Sequence, residues 1–277
     1  MNSPSGYFRF VSSLTLCVIF GGLCQFAGAS FDMFKPSVNE QIKLGEQAAA
    51  DLRKQSTVLP ATDPRVIELR KVANKIVATF PKKEPWHYSF DVIDSNEVNA
   101  FALPGGPMFF YTGLFSKLTT EDELAGVIGH ELTHVRRQHW AKAYGDSEKR
   151  QLGLTALLMI VHVGQFGSDL ASVANSFYDL QYSRGDEGQA DEGGFIAMTA
   201  AGYNPQGMID LFKTFEKIPG SGGPEFASDH PSDAGRIHNI ELLIKKSGKD
   251  YPPQIPLSAE IRALPSDSTN PIKRTPN

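Results

Sequence analysis

Apolar positions recur along this chain at two spacings, and the change from one to the other marks its elements. In "NEQIKLGEQAAADLRKQ", Ile42, Leu44, Ala48, Ala49 and Leu52 fall at helical spacing, with Ser37 or Asn39 as the cap. "DPRVIELRKVANKIVATF" repeats the signal: Pro64 suits a first turn, and Val66, Ile67, Leu69, Val72, Ile76 and Val77 form one stripe. "WHYSFDVIDS" alternates as a strand does. "NAFALPGGPMFFYTGLF" reads as extended chain, a Pro-Gly-Gly turn and a second extended run from Met108 to Tyr111.

Helical patterns dominate from Thr119 onward. "TTEDELAGVIGHELTHVRRQHW" opens with Thr120 and Glu123 in a capping-box arrangement, which predicts a helix from 121 to about 139. "LGLTALLMIVHV" is about a dozen residues long, short for a membrane span, and predicts a buried helix, with lipid contact as the competing reading. Residues 169–201 read as helix, "GYNPQG" as a turn and "MIDLFKTFEKI" as helix. "PGSGGPEFASDHPSDAGRI" is a flexible loop leading into a last helix, "AGRIHNIELLIKKS". Past Lys249, six prolines without periodicity predict a mostly disordered tail. The expected fold class is mainly α with a small β-sheet, an α+β arrangement.

The first residues follow a different rule. Arg9 supplies a positive charge, "FVSSLTLCVIFGGL" an apolar run of signal-peptide length, and Ala27 and Ala29 an A-x-A cleavage pattern. The expected organisation is a signal peptide at 1–29, one catalytic domain at 30–250 and a Pro-rich tail at 251–277. An uncleaved anchor is the alternative. A lipid attachment at Cys24 is disfavoured by the bulky Leu23 before it. Cleavage would remove Cys17 and Cys24, the only cysteines, leaving no thiol for disulfides or metal. The reading is an exported protein of the periplasm or cell envelope.

Charge narrows the function. The net charge of −4, with no basic block beyond a short "KR", argues against a nucleic-acid partner. "GHELTH" offers chemistry instead. On a helix His130 and His134 share one face a turn apart, so two imidazole nitrogens can converge on one point. Zinc accepts neutral nitrogen donors in tetrahedral geometry and leaves a position for water. Glu131 stands next to the first histidine, placed to take a proton from that water without being a ligand.

A third ligand is required. A histidine six residues after the second, with a glycine between, is excluded because Trp140 and Arg137 occupy those positions. His139 is one residue short and on the wrong helical face, and reads as a partly exposed structural histidine. "YSRGDEGQADEGG" supplies a glutamate: Glu187 as third ligand, with Asp191 one turn on to accept a hydrogen bond from a zinc histidine. Gly188, Ala190, Gly193 and Gly194 would let this helix approach the first closely.

In that order, "NAFALPGG", "HELTH", "SRGDEGQAD" and "HPSDAGRI" resemble the CAAX-prenyl-protease-like (HtpX-like) family of gluzincin zinc metallopeptidases, over about residues 39–247. The chain looks most like its exported single-domain bacterial members. The resemblance implies a zincin-like fold, with one helix carrying HExxH and another ExxxD. It implies one Zn2+ held by His130, His134 and Glu187, Glu131 as general base, and Asp191 behind the ligands. His230 and Arg236 match a histidine and arginine near the site, the histidine either steadying an oxyanion or capping the metal in a latent state. Asn99, Ala100, Phe101, Ala102, Leu103, Pro104 and Gly105 match an edge strand beside the cleft, where an extended peptide can pair through its main chain. Gly185 departs from the pattern, standing where a longer or acidic residue is common and leaving Arg184 without an obvious partner.

The function expected is zinc-dependent endopeptidase cleavage of extended, unfolded or misassembled polypeptide, a form of protein quality control. No long span follows the signal segment, which argues against prenyl-protein processing and leaves at most peripheral membrane contact. An envelope chaperone or assembly factor with a latent, His-capped site is the alternative. A lipid-associated binding protein using "LGLTALLMIVHV" is a third.

Overall fold

Side chains that close their own first turn set where the principal helices begin. The computed structural model describes residues 35–148, 182–218, 230 and 234–263. Their order is α1 (Val38–Gln55), α2 (Pro64–Val77), β1 (Ser89–Ile93), β2 (Ala100–Ala102), β3 (Pro107–Tyr111), α3 (Thr112–Phe115) and α4 (Glu121–Arg136). After a helical stretch over 139–148 come α5 (Arg184–Ala200), α6 (Gln206–Phe215), α7 (Ala234–Ser247) and α8 (Ala259–Arg262). Ser37 with Glu40, Thr120 with Glu123, and Ser183 with Asp186 form reciprocal capping boxes on α1, α4 and α5. Asp63 caps α2 ahead of Pro64, whose missing N–H costs nothing in a first turn. Mainly α with a small three-stranded sheet is the architecture expected from the sequence pattern.

The sheet has the order β1-β3-β2, β3 running parallel to β1 and antiparallel to β2. All five residues of β3 are buried, so this strand reads as a continuous apolar run rather than an alternation. β2 is left at an edge and lies against α4. Gly105 and Gly106 make the β2–β3 turn at φ +85° and +125°, a backbone region that side chains with a Cβ rarely enter.

α4 is the axis of the molecule. Every residue from Glu121 to Val135 is buried, so it shows no polar face, and α2, α5, α6 and β2 pack around it. It meets α5 almost backbone to backbone: a Cβ on Gly129 would lie 3.0 Å from the Gly194 Cα, and one on Gly193 only 2.4 Å from the Thr133 Cγ2. Ala190 is fully buried in the same contact, whereas Gly188 faces open space. Of the small residues read from sequence as enabling this approach, Gly193 and Gly194 do so and Gly188 does not.

Two expectations need correction. α4 stops at Arg136 rather than near 139, because Gln138 takes φ +57° and turns the chain. The Pro-rich segment is ordered through Ala263: Pro256 bridges Thr120, the Leu257 N–H donates to Thr119 O at 2.9 Å, and Leu257 and Ile261 join the core. Proline there removes donors but leaves carbonyls to pair, so Ile255 O accepts from the Glu121 N–H. Residues 1–29, "LGLTALLMIVHV" and 169–181 lie outside the described residues. No helix among the described residues is long and apolar enough to cross a membrane.

Candidate metal centre

α4 carries His130, Glu131 and His134 within one turn, and the close α4–α5 contact brings Glu187 and Asp191 opposite them. His230 reaches in from ahead of α7, and Arg236 from the first turn of α7. All seven side chains are buried, with His130, His134, Glu187 and His230 between 2 % and 3 % exposed.

Four donor atoms converge. The His130 Nε2 lies 3.0 Å from the His134 Nε2 and 3.2 Å from the His230 Nδ1. The Glu187 Oε1 is 3.0 Å from the His230 Nδ1 and 3.5 Å from the His134 Nε2, and the Glu187 Oε2 is 3.5 Å from the His130 Nε2. One atom from each of these residues falls within 4.8 Å of all the others. Tetrahedral zinc with bonds of about 2.0–2.1 Å separates its ligands by about 3.3 Å, so the spacing fits this ion. Three imidazoles and a carboxylate are also the donor types that zinc prefers.

A charged frame holds the cluster. The His130 Nδ1 is 3.1 Å from the Asp191 Oδ1. Arg236 donates to both Asp191 oxygens, from Nε at 2.7 Å and Nη2 at 2.6 Å. Its Nη1 sits 2.9 Å from the Glu187 Oε2 and donates to His230 O at 3.1 Å. The guanidinium also covers the Phe212 ring, 4.6 Å from its centroid. Arg184, whose partner the sequence left open, is exposed at the first position of α5.

Electrostatics follow from this packing. Burial opposes ionisation of Glu187, but hydrogen bonds and charge from His130 and His230 hold its carboxyl far below the usual range. Burial likewise works against Asp191, and Arg236 and His130 overcome it to lower its pKa. For His130, burial disfavours the cation, yet bonds to Asp191 and Glu187 raise its pKa above the ordinary imidazole value. His134 is pushed well down by burial and by His130 and His230. A neutral imidazole beside two fixed carboxylates suits a divalent cation.

Glu131 lies buried beside the cluster, its Oε1 3.4 Å from the His230 Nε2. Ala102, Leu103 and Pro104 line a small cavity with His134, Val135, Trp140 and Tyr182. The end of the predicted peptide-pairing segment therefore shares a cavity with His134. Asn99 and Ala100 stand further back: the Asn99 Oδ1 accepts from the Ala100 N–H at 2.7 Å, and both residues are buried. Phe101 stacks on Phe109, 5.6 Å between centroids, and Gly105 serves the turn.

Sequence reasoning misplaced His139. It is 2 % exposed, not partly exposed, and its Nδ1 lies 3.0 Å from the His134 Nδ1. The turn at Gln138 swings it back onto the α4 face that a continuing helix would have denied it. Tyr182 was missed as well: its ring packs 4.1 Å from that of His134. Nothing in the local pattern around Tyr182 signals that contact.

The geometry gathers three histidines and a glutamate into one buried cluster whose donor atoms could hold a metal ion. Residues 61–244 match Peptidase family M48, and the chain belongs to that family. It is 26 % identical over 231 residues to Metalloprotease LoiP of Escherichia coli strain K12, covering 82 % of this chain and 89 % of that protein. It is 28 % identical over 199 residues to the mitochondrial metalloendopeptidase OMA1 of Arabidopsis thaliana, covering 71 % of this chain and 40 % of OMA1. It is 25 % identical over 254 residues to the beta-barrel assembly-enhancing protease of Yersinia pestis, covering 82 % and 49 %. The chain thus spans most of LoiP but half or less of the other two.

Proposed function

We propose that this protein is a zinc-dependent endopeptidase that cleaves extended, unfolded or misassembled polypeptide in the cell envelope. The observation that carries the reading is the convergence of His130, His134, Glu187 and His230 donors beside Glu131. Bound there by His130, His134 and Glu187, zinc would supply Lewis-acid chemistry to a peptide carbonyl and acidify a water. Glu131 takes the proton from the attacking water and delivers it to the leaving amine nitrogen. Asp191 accepts from the His130 Nδ1–H, which leaves Nε2 as the ligating atom, and Arg236 holds Asp191 in place.

Substrate recognition follows from β2. Its pairing with β3, with Leu103 N–H to Pro107 O and Tyr111 N–H to Asn99 O, turns the main chain of Ala102 away from the sheet, while the Ala100 N–H is taken by the Asn99 Oδ1. A peptide added along that edge would run toward His134 through the cavity at Ala102–Pro104. Recognition through the main chain selects extended chain over folded protein. An envelope location is supported by the N-terminal signal pattern and by relatives named for β-barrel assembly.

A specific observation favours a second reading, a latent enzyme or assembly factor capped by its own histidine. The His230 Nδ1 fills the fourth corner of the donor set, the corner a catalytic site keeps for water. The deciding experiment compares wild type, Glu131→Gln and His230→Ala, each with zinc bound, on an unfolded protein. Glu131→Gln should retain zinc and lose cleavage. Faster cleavage by His230→Ala identifies a cap, and slower cleavage identifies help to the oxyanion.

A further inference from the structure

His130 has a visible orienting partner in Asp191, and the second histidine of the pair has one too, of a different kind. We infer that His139 is the positioning residue for His134, accepting the His134 Nδ1–H so that Nε2 is presented to the metal. This role rests on the proposed metal site at His130, His134 and Glu187.

The geometry is a relay of three groups. The His134 Nδ1 and His139 Nδ1 are 3.0 Å apart, both rings are buried, and they meet edge to face at 80°. Two facing imidazole nitrogens can bond only if one carries the proton and the other does not. The far side of His139 decides which. Its Nε2 lies 3.8 Å from the Asp186 Oδ1, beyond hydrogen-bond distance, and has no other partner among the described residues. Asp186 is fixed as an anion by the Lys142 Nζ at 2.8 Å and by its place in the Ser183 capping box.

The negative charge of Asp186 on that side favours the His139 proton on Nε2 by attraction across the 3.8 Å gap. Nδ1 then bears a lone pair and must accept, so the proton between the rings belongs to His134. That leaves the His134 Nε2 unprotonated, which is the form a metal binds. The arrangement depends on α4 ending at Arg136. If the helix ran on through Gln138, His139 would point away from His134.

Two variants separate positioning from packing. His139→Leu fills the space without an acceptor, whereas His139→Asn can place its Oδ1 near the lost Nδ1. Zinc affinity is measured by competition with a chromophoric chelator, and metal-free stability by thermal unfolding. His139→Leu should bind zinc about 10- to 100-fold more weakly, with the Asn variant recovering most of that loss. The melting temperatures of the two metal-free variants should agree. Equal affinity of His139→Leu and wild type, or equal loss in both variants, overturns the inference. Long-range nitrogen–proton NMR of the zinc-loaded wild type tests it without any variant. His139 should be protonated on Nε2 and His134 on Nδ1, and a His139 protonated on Nδ1 contradicts it. A wild type that binds no zinc at all would instead sink the metal-site reading.

Discussion

Arg236 grips Asp191 with two parallel hydrogen bonds, Nε to Oδ2 at 2.7 Å and Nη2 to Oδ1 at 2.6 Å, while Asp191 faces His130. Paired charge of this geometry persists in a buried site because each member satisfies the other. Removing one leaves the other charged and uncompensated. Arg236→Ala should therefore cost about 3–5 kcal/mol in metal-free stability, read by denaturant unfolding. Asp191→Ala and Arg236→Ala together should cost less than the sum of the two single changes, and strict additivity would mean that the pair is not coupled.

The meeting of α4 and α5 has no room to spare. A Cβ on Gly194 would lie 3.0 Å from the His130 N, itself at the start of the metal-binding motif. Gly194→Val should destabilise the fold by about 1–3 kcal/mol through overpacking. It should also weaken zinc binding, because the strain falls on the backbone that carries His130. Gly188→Ala, where nothing lies within 4 Å, is the matched control and should leave zinc binding unchanged while raising stability by up to about 1 kcal/mol through helix propensity. Thermal unfolding and chelator competition on the two variants check this.

Legibility in the sequence differs from residue to residue. The caps at Ser37 and Thr120 were readable because capping chemistry is local, and each sits within three residues of the group it satisfies. The convergence of His130, His134 and Glu187 was readable because the i, i+4 spacing of the histidines puts both rings on one helical face, and the acidic motif opposite supplies the carboxylate. His139 was not, since its place depends on one backbone angle at Gln138 that no periodicity encodes. Residues 251–263 were misread for a related reason. Proline suppresses helical and strand patterns, but the Leu257 and Ile261 side chains still bury in the core shared with α2 and α4.

That ordered segment should carry stability. Ile255 donates its N–H to the Asp122 Oδ2 at 2.7 Å, and Leu257 and Ile261 are 7 % and 8 % exposed. Leu257→Ala and Ile261→Ala should each cost about 2 kcal/mol or more in chemical denaturation. A change under a few tenths of a kcal/mol would show that the segment only rests on the surface.

Acid should undo one contribution in a defined window. The Arg65 side chain hydrogen-bonds Asp63 and holds its carboxyl below the ordinary value of 3.8, outweighing partial burial. A depressed folded pKa means that stabilisation is complete above the unfolded pKa and fades as pH falls through the folded one. Asp63→Ala should cost about 1 kcal/mol at neutral pH through loss of the α2 cap. The gap between variant and wild type should narrow only below about pH 4, where the unfolded carboxyl begins to protonate. A gap that stays constant down to about pH 2 would remove Asp63 from the acid response.

Metal analysis of purified protein, run on wild type beside Glu187→Ala, tests the central claim most directly. About one tightly held zinc per chain in the wild type, with affinity lost in the variant, is the result predicted for a site that spans α4 and α5. Zinc retained with equal affinity when Glu187 is replaced, or absent from a folded wild type offered the ion, would contradict it.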